Sequence, residues 1–355
     1  VIPRSPRERT PTQRGEDMSE RNNMASHENG TLVRAENLKK WFPVQTSFLD
    51  TLFSRKIDYI RAVDGVDFNI QRGEVLGLAG ESGSGKTTIG RLVIGLEEPT
   101  DGTILFDGTD LSKISNEELR RMRRRMQVIF QDPMASLNPR MTIGESIGHG
   151  LKIHFPETKA EHHDKIMNIM ERVGLTPSGF FYNKYPHQIS GGQRQRVVIA
   201  RALVTQPDLI LADEPIAMAD VSVRALLLDL MLELKDEFNL TYLFITHDLA
   251  TAKYICDRIG ILYLGRFAEL ASLRDLYREP MHPYTKALLA AVPVPDPHER
   301  RMEEMPAGEI PNPIDPPSGC RFHPRCPIAQ EDCAVNEPEL RELRPSHFVA
   351  CHYAG

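Results

Sequence analysis

The segment GESGSGKTT, from Gly80 to Thr88, constrains the fold of this chain more than any other feature. It matches the pattern GxxxxGK[ST] and lies between a short apolar run at 74–79 and a stretch with helical spacing at 87–96. In a strand-loop-helix unit of this kind, glycines let backbone N–H groups turn toward phosphates, and the helix N-terminus adds partial positive charge. The segment therefore predicts a site for the phosphates of ATP and for Mg²⁺.

Two residues of this loop carry most of the expected chemistry. Lys86 should reach the β and γ phosphates, and the hydroxyl of Thr87 should ligate Mg²⁺. The other loop residues that we expect to contact the nucleotide are Gly80, Ser82, Gly83, Ser84, Gly85 and Thr88.

Two more apolar runs end in polar residues that suit the same site. The run at 209–212 is followed by Asp213 and Glu214, and the run at 240–245 is followed by a segment that contains His247. Runs without alternation are typical of parallel strands buried on both faces. We expect Asp213 to hold Mg²⁺ through water and Glu214 to polarise the attacking water molecule.

The remaining patterns predict an α/β architecture with several parts. Residues 1–30 are polar and predict a disordered leader, whereas 31–42 and 60–70 carry period-two patterns and predict an antiparallel β layer. The segment at about 131–200 is mostly helical in pattern, with helices predicted over 142–151 and 160–173. Together, 31–270 form the predicted nucleotide-binding domain.

Residues 271–355 form a predicted C-terminal extension. Ten prolines lie between 280 and 317, so we expect a loop-dominated extension held by something other than regular strand ladders.

Composition limits the partners and the location of the chain. The net charge of −6 provides no broad basic field, so we expect no nucleic-acid partner. No run reaches the eighteen or so apolar residues of a membrane-spanning helix, and no signal peptide is evident, so we expect a cytosolic chain.

The segment ISGGQ, Ile189 to Gln193, resembles the signature motif of ATP-binding cassette (ABC) ATPases. The resemblance implies a phosphate-loop ABC fold, with a RecA-like parallel sheet core, an antiparallel β layer, a helical subdomain and here a Pro/Cys-rich extension. It also implies that Ser190, Gly191, Gly192 and Gln193 cap the γ-phosphate of ATP held by a partner subunit, so that each ATP lies between two chains.

Other residues match the family in the same order along the chain. Gln131, in IFQDP, resembles the residue that contacts Mg²⁺, the attacking water and the membrane partner, and His247 resembles the histidine that senses the γ-phosphate. Asp220 resembles the aspartate of the loop at the dimer seam. Phe42 is the favoured aromatic residue for stacking on adenine, with Trp41 as the alternative and core packing open for both.

Three longer segments narrow the resemblance to the ATPase subunits of oligopeptide and dipeptide importers. They are QDPMASLNPRMTIGE at 131–145, YPHQISGGQRQRVVIARAL at 185–203 and REPMHPYTKALLAAVPVPDP at 278–297. The resemblance implies an ATP-hydrolysing subunit, peripheral at the cytoplasmic face of the membrane, that works with two membrane-spanning permease subunits. It further implies a second, paralogous ATPase subunit and, indirectly, an extracytoplasmic peptide-binding protein.

The solute follows from the resemblance alone, because relatives also carry nickel or other solutes. A soluble ABC ATPase that acts on another macromolecule is the alternative from a different functional class. Such proteins usually carry two cassettes or a long coiled coil, and the sequence has neither.

One loop departs from the family pattern. After Glu214 and Pro215 the family usually has an aliphatic residue and then Ser-Ala-Leu-Asp, whereas this chain has Ile216 and then Ala-Met-Ala before Asp220. The loss of the serine hydroxyl either weakens communication between the two ATP sites or is neutral.

Four of the five cysteines lie in the last thirty-six residues, at Cys320, Cys326, Cys333 and Cys351. Disulfides are improbable in the cytosol, so a metal or cluster site is the stronger interpretation. No close CxxC pair is present, and Cys326 is followed by proline, as in ferredoxin-type ligation. The extension also resembles those of peptide-importer ATPases that carry a [4Fe–4S] cluster. We favour that cluster, with no metal as the second possibility and zinc as the third; in a zinc site His323, His347 and His352 are possible ligands. We expect Cys256 to be a packed core thiol.

Overall fold

A computed structural model describes residues 30–44, 58–292 and 308–354, without the side chain of Val221. The predicted leader lies outside these residues except for Gly30. Among the described helices, none is both long and apolar enough to cross a lipid bilayer.

The described strands, in chain order, are β1 (Thr31–Pro43), β2 (Tyr59–Gln71), β3 (Val75–Ala79), β4 (Asp101–Phe106), β5 (Thr109–Asp110), β6 (Met126–Ile129), β7 (Leu209–Asp213), β8 (Thr241–Ile245), β9 (Arg258–Tyr263), β10 (Arg266–Ser272), β11 (Arg341–Arg344) and β12 (His347–Val349). The described α-helices are α1 (Lys86–Val93), α2 (Asn116–Met122), α3 (Pro133–Ser136), α4 (Ile143–His154), α5 (Lys159–Arg172), α6 (Ser178–Tyr182), α7 (Gly191–Leu203), α8 (Val221–Phe238), α9 (Leu249–Ile255), α10 (Leu273–Arg278) and α11 (Pro283–Ala290).

These strands form two sheets. One has the order β2-β1-β4-β5 and is antiparallel, as predicted for the first β layer. The other has the order β11-β12-β10-β9-β3-β8-β7-β6, and its five strands from β9 to β6 are parallel. The parallel strands place their carboxyl ends along one edge, where the loops after β3, β6, β7 and β8 meet.

Strand β8 illustrates why the central strands are apolar without alternation. All five of its residues are buried. Leu243 and Ile245 belong to a core shared with the antiparallel sheet and α1. Tyr242 and Phe244 belong to a second core on the opposite face, shared with α7, α8 and α9. Both faces of the strand therefore require large apolar side chains.

Helices α3 to α6 occupy the region predicted to be a helical subdomain. The predicted helices at 142–151 and 160–173 correspond to α4 and α5. Each begins with a capping box, formed by Thr142 with Glu145 and by Thr158 with Glu161, which satisfies N–H groups at the helix start.

The C-terminal extension differs from the prediction in one respect. Strand β12 pairs antiparallel with β10, and β11 pairs with β12, so that the extension adds two strands to the central sheet. The expectation that no regular ladder holds the extension is therefore wrong. The local proline content could not indicate this, because the pairing joins Phe348 to Leu270, far apart in sequence. The prolines act elsewhere: Pro283 occupies the first turn of α11, where a missing N–H costs nothing.

Candidate active site

The loop between β3 and α1 has a conformation that only glycine tolerates at two positions. Gly80 has a φ of 145°, and a Cβ atom there would lie 2.2 Å from the carbonyl oxygen of Leu262. Gly85 has a φ of 105°, and its Cβ would lie 2.2 Å from the carbonyl oxygen of Ala62. Close backbone packing therefore explains both glycines. By contrast, Ser82 and Gly83 are exposed at the tip of the loop.

Lys86 begins α1, and its side chain folds back over the loop. Its Nζ donates hydrogen bonds to the carbonyl oxygens of Gly80, at 2.8 Å, and Glu81, at 2.9 Å, and lies 3.3 Å from Oγ of Ser84. The next residue, Thr87, donates from its hydroxyl to the Asp213 carboxylate over 3.3 Å. The Lys86 ammonium and the Thr87–Asp213 pair therefore lie at the mouth of one loop. The hydroxyl and carboxylate are oxygen ligands of the kind that Mg²⁺ prefers.

Glu214 lies directly after β7 and is held between two polar side chains. Nε2 of Gln131, after β6, donates to one oxygen of the Glu214 carboxylate over 2.7 Å. Nδ1 of His247, after β8, lies 3.0 Å from the other oxygen. Glu214 has a φ of 47°, an unusual value for a residue with a side chain, and its N–H donates to the carbonyl oxygen of Ile245. This conformation at a carboxylate with two polar partners is typical of a functional position.

Burial and neighbouring charges both shift the pKa values of Lys86 and Asp213. Burial lowers the pKa of Lys86, while the negative charges of Glu214, Asp213 and Glu81 raise it. Burial raises the pKa of Asp213, and the nearby Glu214 charge adds to that effect. The site is thus a partly dry pocket with one cation and two adjacent carboxylates, which suits binding of a divalent metal ion with a polyphosphate.

The signature segment lies at the start of α7. Ser190 accepts a hydrogen bond from the N–H of Gln193, and the side chain of Gln193 accepts one from the N–H of Ser190, so the two form a capping box. No heavy atom lies within 4 Å of the position that a Cβ of Gly191 would occupy. Ser190 and Gly191 are exposed, and within the described residues no hydrogen bond connects them with Lys86 or Glu214.

Two further predicted residues are likewise apart from the pocket in this single chain. Asp220 precedes α8 and is exposed. Phe42 is half-buried on β1, with the ammonium of Lys40 5.0 Å from its ring centre. Trp41 instead donates from its indole N–H to the Asp64 carboxylate over 2.9 Å. Stacking of Phe42 on adenine stays a prediction.

The four cysteines of the extension line one small cavity, together with residues that include His282, Phe322 and His323. Burial raises the pKa of the Cys320 thiol to about 11, and the other three sulfurs are close enough to add to that rise. Within the described ranges, however, no group of three or more His, Cys, Asp or Glu residues is placed to hold a metal ion, so the iron–sulfur prediction has no direct support.

The fifth cysteine, Cys256, is buried, and a side chain at Gly77 would collide with its sulfur. The prediction of a packed core thiol is confirmed.

Sequence reasoning missed one group that contacts the phosphate loop. The N–H of Glu81 donates to the hydroxyl of Tyr284, and the Glu81 carboxylate pairs with Arg325. Arg325 is 244 residues from Glu81, and no local pattern marks either residue. A charge in the loop and a charge in the extension become partners only when β10 and β12 bring the extension against the sheet.

Two family models match the chain. The model described as "ABC transporter" matches residues 63–217, which include the phosphate loop, Gln131 and Glu214. The model described as "Oligopeptide/dipeptide transporter, C-terminal region" matches residues 268–333, which include Tyr284, Arg325 and three of the four clustered cysteines.

Similar proteins cover most of the chain. A putative peptide import ATP-binding protein of Brucella ovis is 55% identical over 292 residues, which are 82% of this chain and 92% of that protein. The oligopeptide transport ATP-binding protein AppF of Bacillus subtilis is 49% identical over 325 residues, or 91% of this chain and 97% of AppF.

Solved structures show the same fold. The ATP-binding cassette MJ0796, in a dimeric post-hydrolysis state bound to ADP and Pi, has a TM-score of 0.59 and 30% identity, and the match covers 68% of this chain and 99% of that one. CbiO1 of Clostridium perfringens, part of an ABC transporter complex, has a TM-score of 0.60 and 25% identity over 71% of this chain and 92% of that one. The chain therefore belongs to the ABC transporter ATPase family, in the group whose members carry the oligopeptide/dipeptide transporter C-terminal region.

Proposed function

We propose that this protein is the ATP-hydrolysing subunit of a peptide importer. The observation that carries the proposal is the placement of Glu214 between Gln131 and His247, beside the loop that presents Lys86 and Thr87. Peptides as the solute are supported by the relatives, which are named for peptide import and oligopeptide transport and match this chain over nearly their whole length.

Each residue of the pocket has a role that its contacts suit. Lys86, now bonded to loop carbonyl oxygens, would turn to the β and γ phosphates of ATP. Thr87 and Asp213 would hold Mg²⁺, which supplies positive charge against the phosphate oxygens. Glu214 would accept a proton from the attacking water, which Gln131 would help to orient, while His247 would contact the γ-phosphate.

The site of one chain is incomplete for this reaction, and we propose that a second cassette completes it. The exposed start of α7, with Ser190, Gly191, Gly192 and Gln193, offers backbone N–H groups and a helix dipole to an anion on another subunit. Asp220 would lie at the same contact. The cassette MJ0796 forms a dimer with bound ADP and Pi, which supports this arrangement. A paralogous ATPase subunit is the favoured partner.

The other proposed partners follow from the family. Two membrane-spanning permease subunits would receive the motion of the cassettes, through the region near Gln131, and an extracytoplasmic peptide-binding protein would deliver the solute. The protein would then be peripheral, at the cytoplasmic face of the membrane. The proposed substrate of hydrolysis is ATP, and the proposed metal cofactor is Mg²⁺.

We also propose that the cysteine cavity binds a [4Fe–4S] cluster. Cys320, Cys326, Cys333 and Cys351 line the same cavity, and four thiolates are the usual ligand set of such a cluster. When bound, the cluster would cross-link the segments that carry these residues. Iron and acid-labile sulfide should each approach four per chain in anaerobically purified protein, and replacement of Cys333 by serine should lower both. Anaerobic protein without iron would rule the cluster out, and stoichiometric zinc would identify the alternative.

The experiment that tests the transport function is reconstitution. The protein is purified with whatever membrane subunits accompany it and inserted into liposomes, and ATP turnover is measured with di- and oligopeptides or with Ni²⁺. Peptide-stimulated turnover that disappears in Lys86→Ala supports the proposal. Stimulation by Ni²⁺ alone would show that the transported solute is nickel and not a peptide. The absence of any membrane partner would favour a soluble ATPase.

A further inference from the structure

The C-terminal extension makes direct contact with the phosphate loop through one residue, Glu81. The N–H of Glu81 donates to the hydroxyl of Tyr284, at the start of α11, over 2.9 Å. The Glu81 carboxylate accepts two hydrogen bonds from the guanidinium of Arg325, at 2.8 and 3.0 Å. The extension therefore holds both the backbone and the side chain of this loop residue.

The same residue also holds the functional groups of the loop. The carbonyl oxygen of Glu81 accepts a hydrogen bond from the ammonium of Lys86 at 2.9 Å. It also accepts one from the N–H of Ser84 at 3.2 Å. A movement of Glu81 would therefore disturb the hydrogen bonds that fix the resting position of Lys86 and the backbone at Ser84, both in the loop that we propose receives the phosphates. The GxxxxGK[ST] pattern leaves this position open, so the pattern alone does not require a carboxylate here.

The ion pair is well shielded from water. The side chain of Arg325 is 6% exposed and that of Glu81 is 18% exposed. The hydrogen bonds that Arg325 donates to the Glu81 carboxylate raise the pKa of Arg325 further above its ordinary value. A two-pronged arginine–carboxylate pair at such low exposure fixes orientation as well as distance, unlike an exposed ion pair.

Tyr284 is itself held firmly by buried groups. Its N–H donates to Nδ1 of His282, and burial lowers the pKa of His282 to about 3, so the ring stays neutral and can accept this bond. The N–H of His282 donates in turn to Glu269, a fully buried carboxylate of β10 that also bonds His347 of β12. The His-Pro-Tyr segment thus connects the central sheet to the phosphate loop through a chain of hydrogen bonds.

We propose that Tyr284 and Arg325 are positioning residues for ATP binding. Through Glu81 they hold the phosphate loop in the conformation that receives the phosphates, so that the extension sets the nucleotide affinity of the cassette. Neither residue is among those that we assign to the attacking water or the γ-phosphate, and their contacts with the loop are made through Glu81. Their loss should raise the dissociation constant of Mg·ATP and leave the hydrolytic step itself intact.

The test compares variants in the full-length protein. Arg325→Gln and Glu81→Gln remove the ion pair, Arg325→Lys keeps the charge without the two-pronged geometry, and Tyr284→Phe removes one hydroxyl. Arg344→Gln is the matched control, because Arg344 makes an exposed two-pronged ion pair with Glu279 on the same extension, away from the loop. The dissociation constant of Mg·ATP is measured by titration with a fluorescent ATP analogue, alongside kcat and KM.

We expect Arg325→Gln to weaken Mg·ATP binding about 10-fold and Tyr284→Phe about 3-fold, with kcat at saturating ATP within about 2-fold of the parent protein. Arg325→Lys should recover part of the affinity, and Arg344→Gln should bind as the parent does. The Arg325 and Glu81 substitutions should not be additive, because either one removes the same contact. Additive effects, or unchanged affinity in both Arg325→Gln and Tyr284→Phe, would overturn the inference.

Two controls distinguish a role of Tyr284 and Arg325 in ATP binding from damage to the cysteine segment and from the absence of a nucleotide site. Arg325 adjoins Cys326, so iron content is measured in each variant, and Tyr284→Phe provides a perturbation that leaves that cysteine-bearing segment unchanged. If Arg325→Gln does not fold, Tyr284→Phe and Glu81→Gln alone still decide the outcome. A parent protein that does not bind ATP would refute the nucleotide site itself, whereas normal binding in the parent and in these variants would refute only the role of the extension.

Discussion

Replacement of Glu214 by glutamine tests the proposed chemistry with the smallest change of shape. The carboxylate accepts a hydrogen bond from Gln131 at 2.7 Å and lies 3.0 Å from Nδ1 of His247. A glutamine at this position can direct its carbonyl oxygen toward Gln131 and its amide N–H group toward Nδ1 of a neutral His247. Both contacts therefore survive, and only the capacity to accept a proton is lost.

The expected magnitude follows from this separation of roles. Loss of a general base typically lowers kcat by about 100- to 10,000-fold, which corresponds to about 3 to 5 kcal/mol in the activation barrier. Binding should be preserved, because Lys86, Thr87 and Asp213 keep their contacts. Burial raises the pKa of Asp213 and the Glu214 charge contributes to that rise, so neutralising Glu214 should, if anything, favour the ionised Asp213 that Mg²⁺ needs.

The assay measures single-turnover hydrolysis and the dissociation constant of Mg·ATP for the same preparation. Glu237→Gln serves as a control, because Glu237 makes a peripheral ion pair with Arg172. We expect Glu214→Gln to bind Mg·ATP within about 3-fold of the parent and to lose at least about 100-fold in hydrolysis rate. A rate within 3-fold of the parent, with binding intact, would show that Glu214 is not the base.

Three further predictions concern the phosphate loop, the partner subunit and residues 217–219, which depart from the family pattern. Gly85→Ala should abolish nucleotide binding and lower the free energy of unfolding by roughly 2 to 4 kcal/mol, because the new Cβ would lie 2.2 Å from the carbonyl oxygen of Ala62. Denaturant unfolding measures this loss of stability. Gly179→Ala is the control, because the nearest atom to its Cβ would be 3.9 Å away. Turnover per subunit should rise with protein concentration until cassettes pair, whereas constant specific activity over a 100-fold dilution would contradict an incomplete single-chain site. If the missing seam hydroxyl matters, changing residues 217–219 to Ser-Ala-Leu should raise coupled ATP turnover in the assembled transporter, and unchanged turnover would show that the natural substitution is neutral.

Several features of the protein could be predicted from the sequence because neighbouring residues determine them. The phosphate loop needs a buried strand, glycines with positive φ and a helix start, and all of these lie between residues 74 and 96. The start of α7 is similar, since Ser190 and Gln193 form a capping box within one helical turn. The parallel strands β3, β7 and β8 were also predictable, because burial on both faces requires continuous apolar runs.

Other features depended on residues far apart in the chain. Gln131 and Glu214 are 83 positions apart and meet only because β6 and β7 are neighbours in the sheet. Family resemblance placed both at one site, but periodicity and composition did not. Neither the sequence patterns nor the family resemblance predicted the contact between the Glu81 carboxylate and Arg325.

The phosphate loop is thus formed by residues close together in the chain, and its sequence by itself indicates that the chain binds a nucleotide. The tertiary structure decided which groups surround that loop: the Glu214 carboxylate and its two polar partners from three strand ends, and a tyrosine and an arginine from the extension. The physical reason is that backbone torsion and helix capping act within a few residues, whereas ion pairs and shared cores depend on which strands become neighbours in the sheet. The addition of β12 to β10 is therefore the step that places the extension on the phosphate loop.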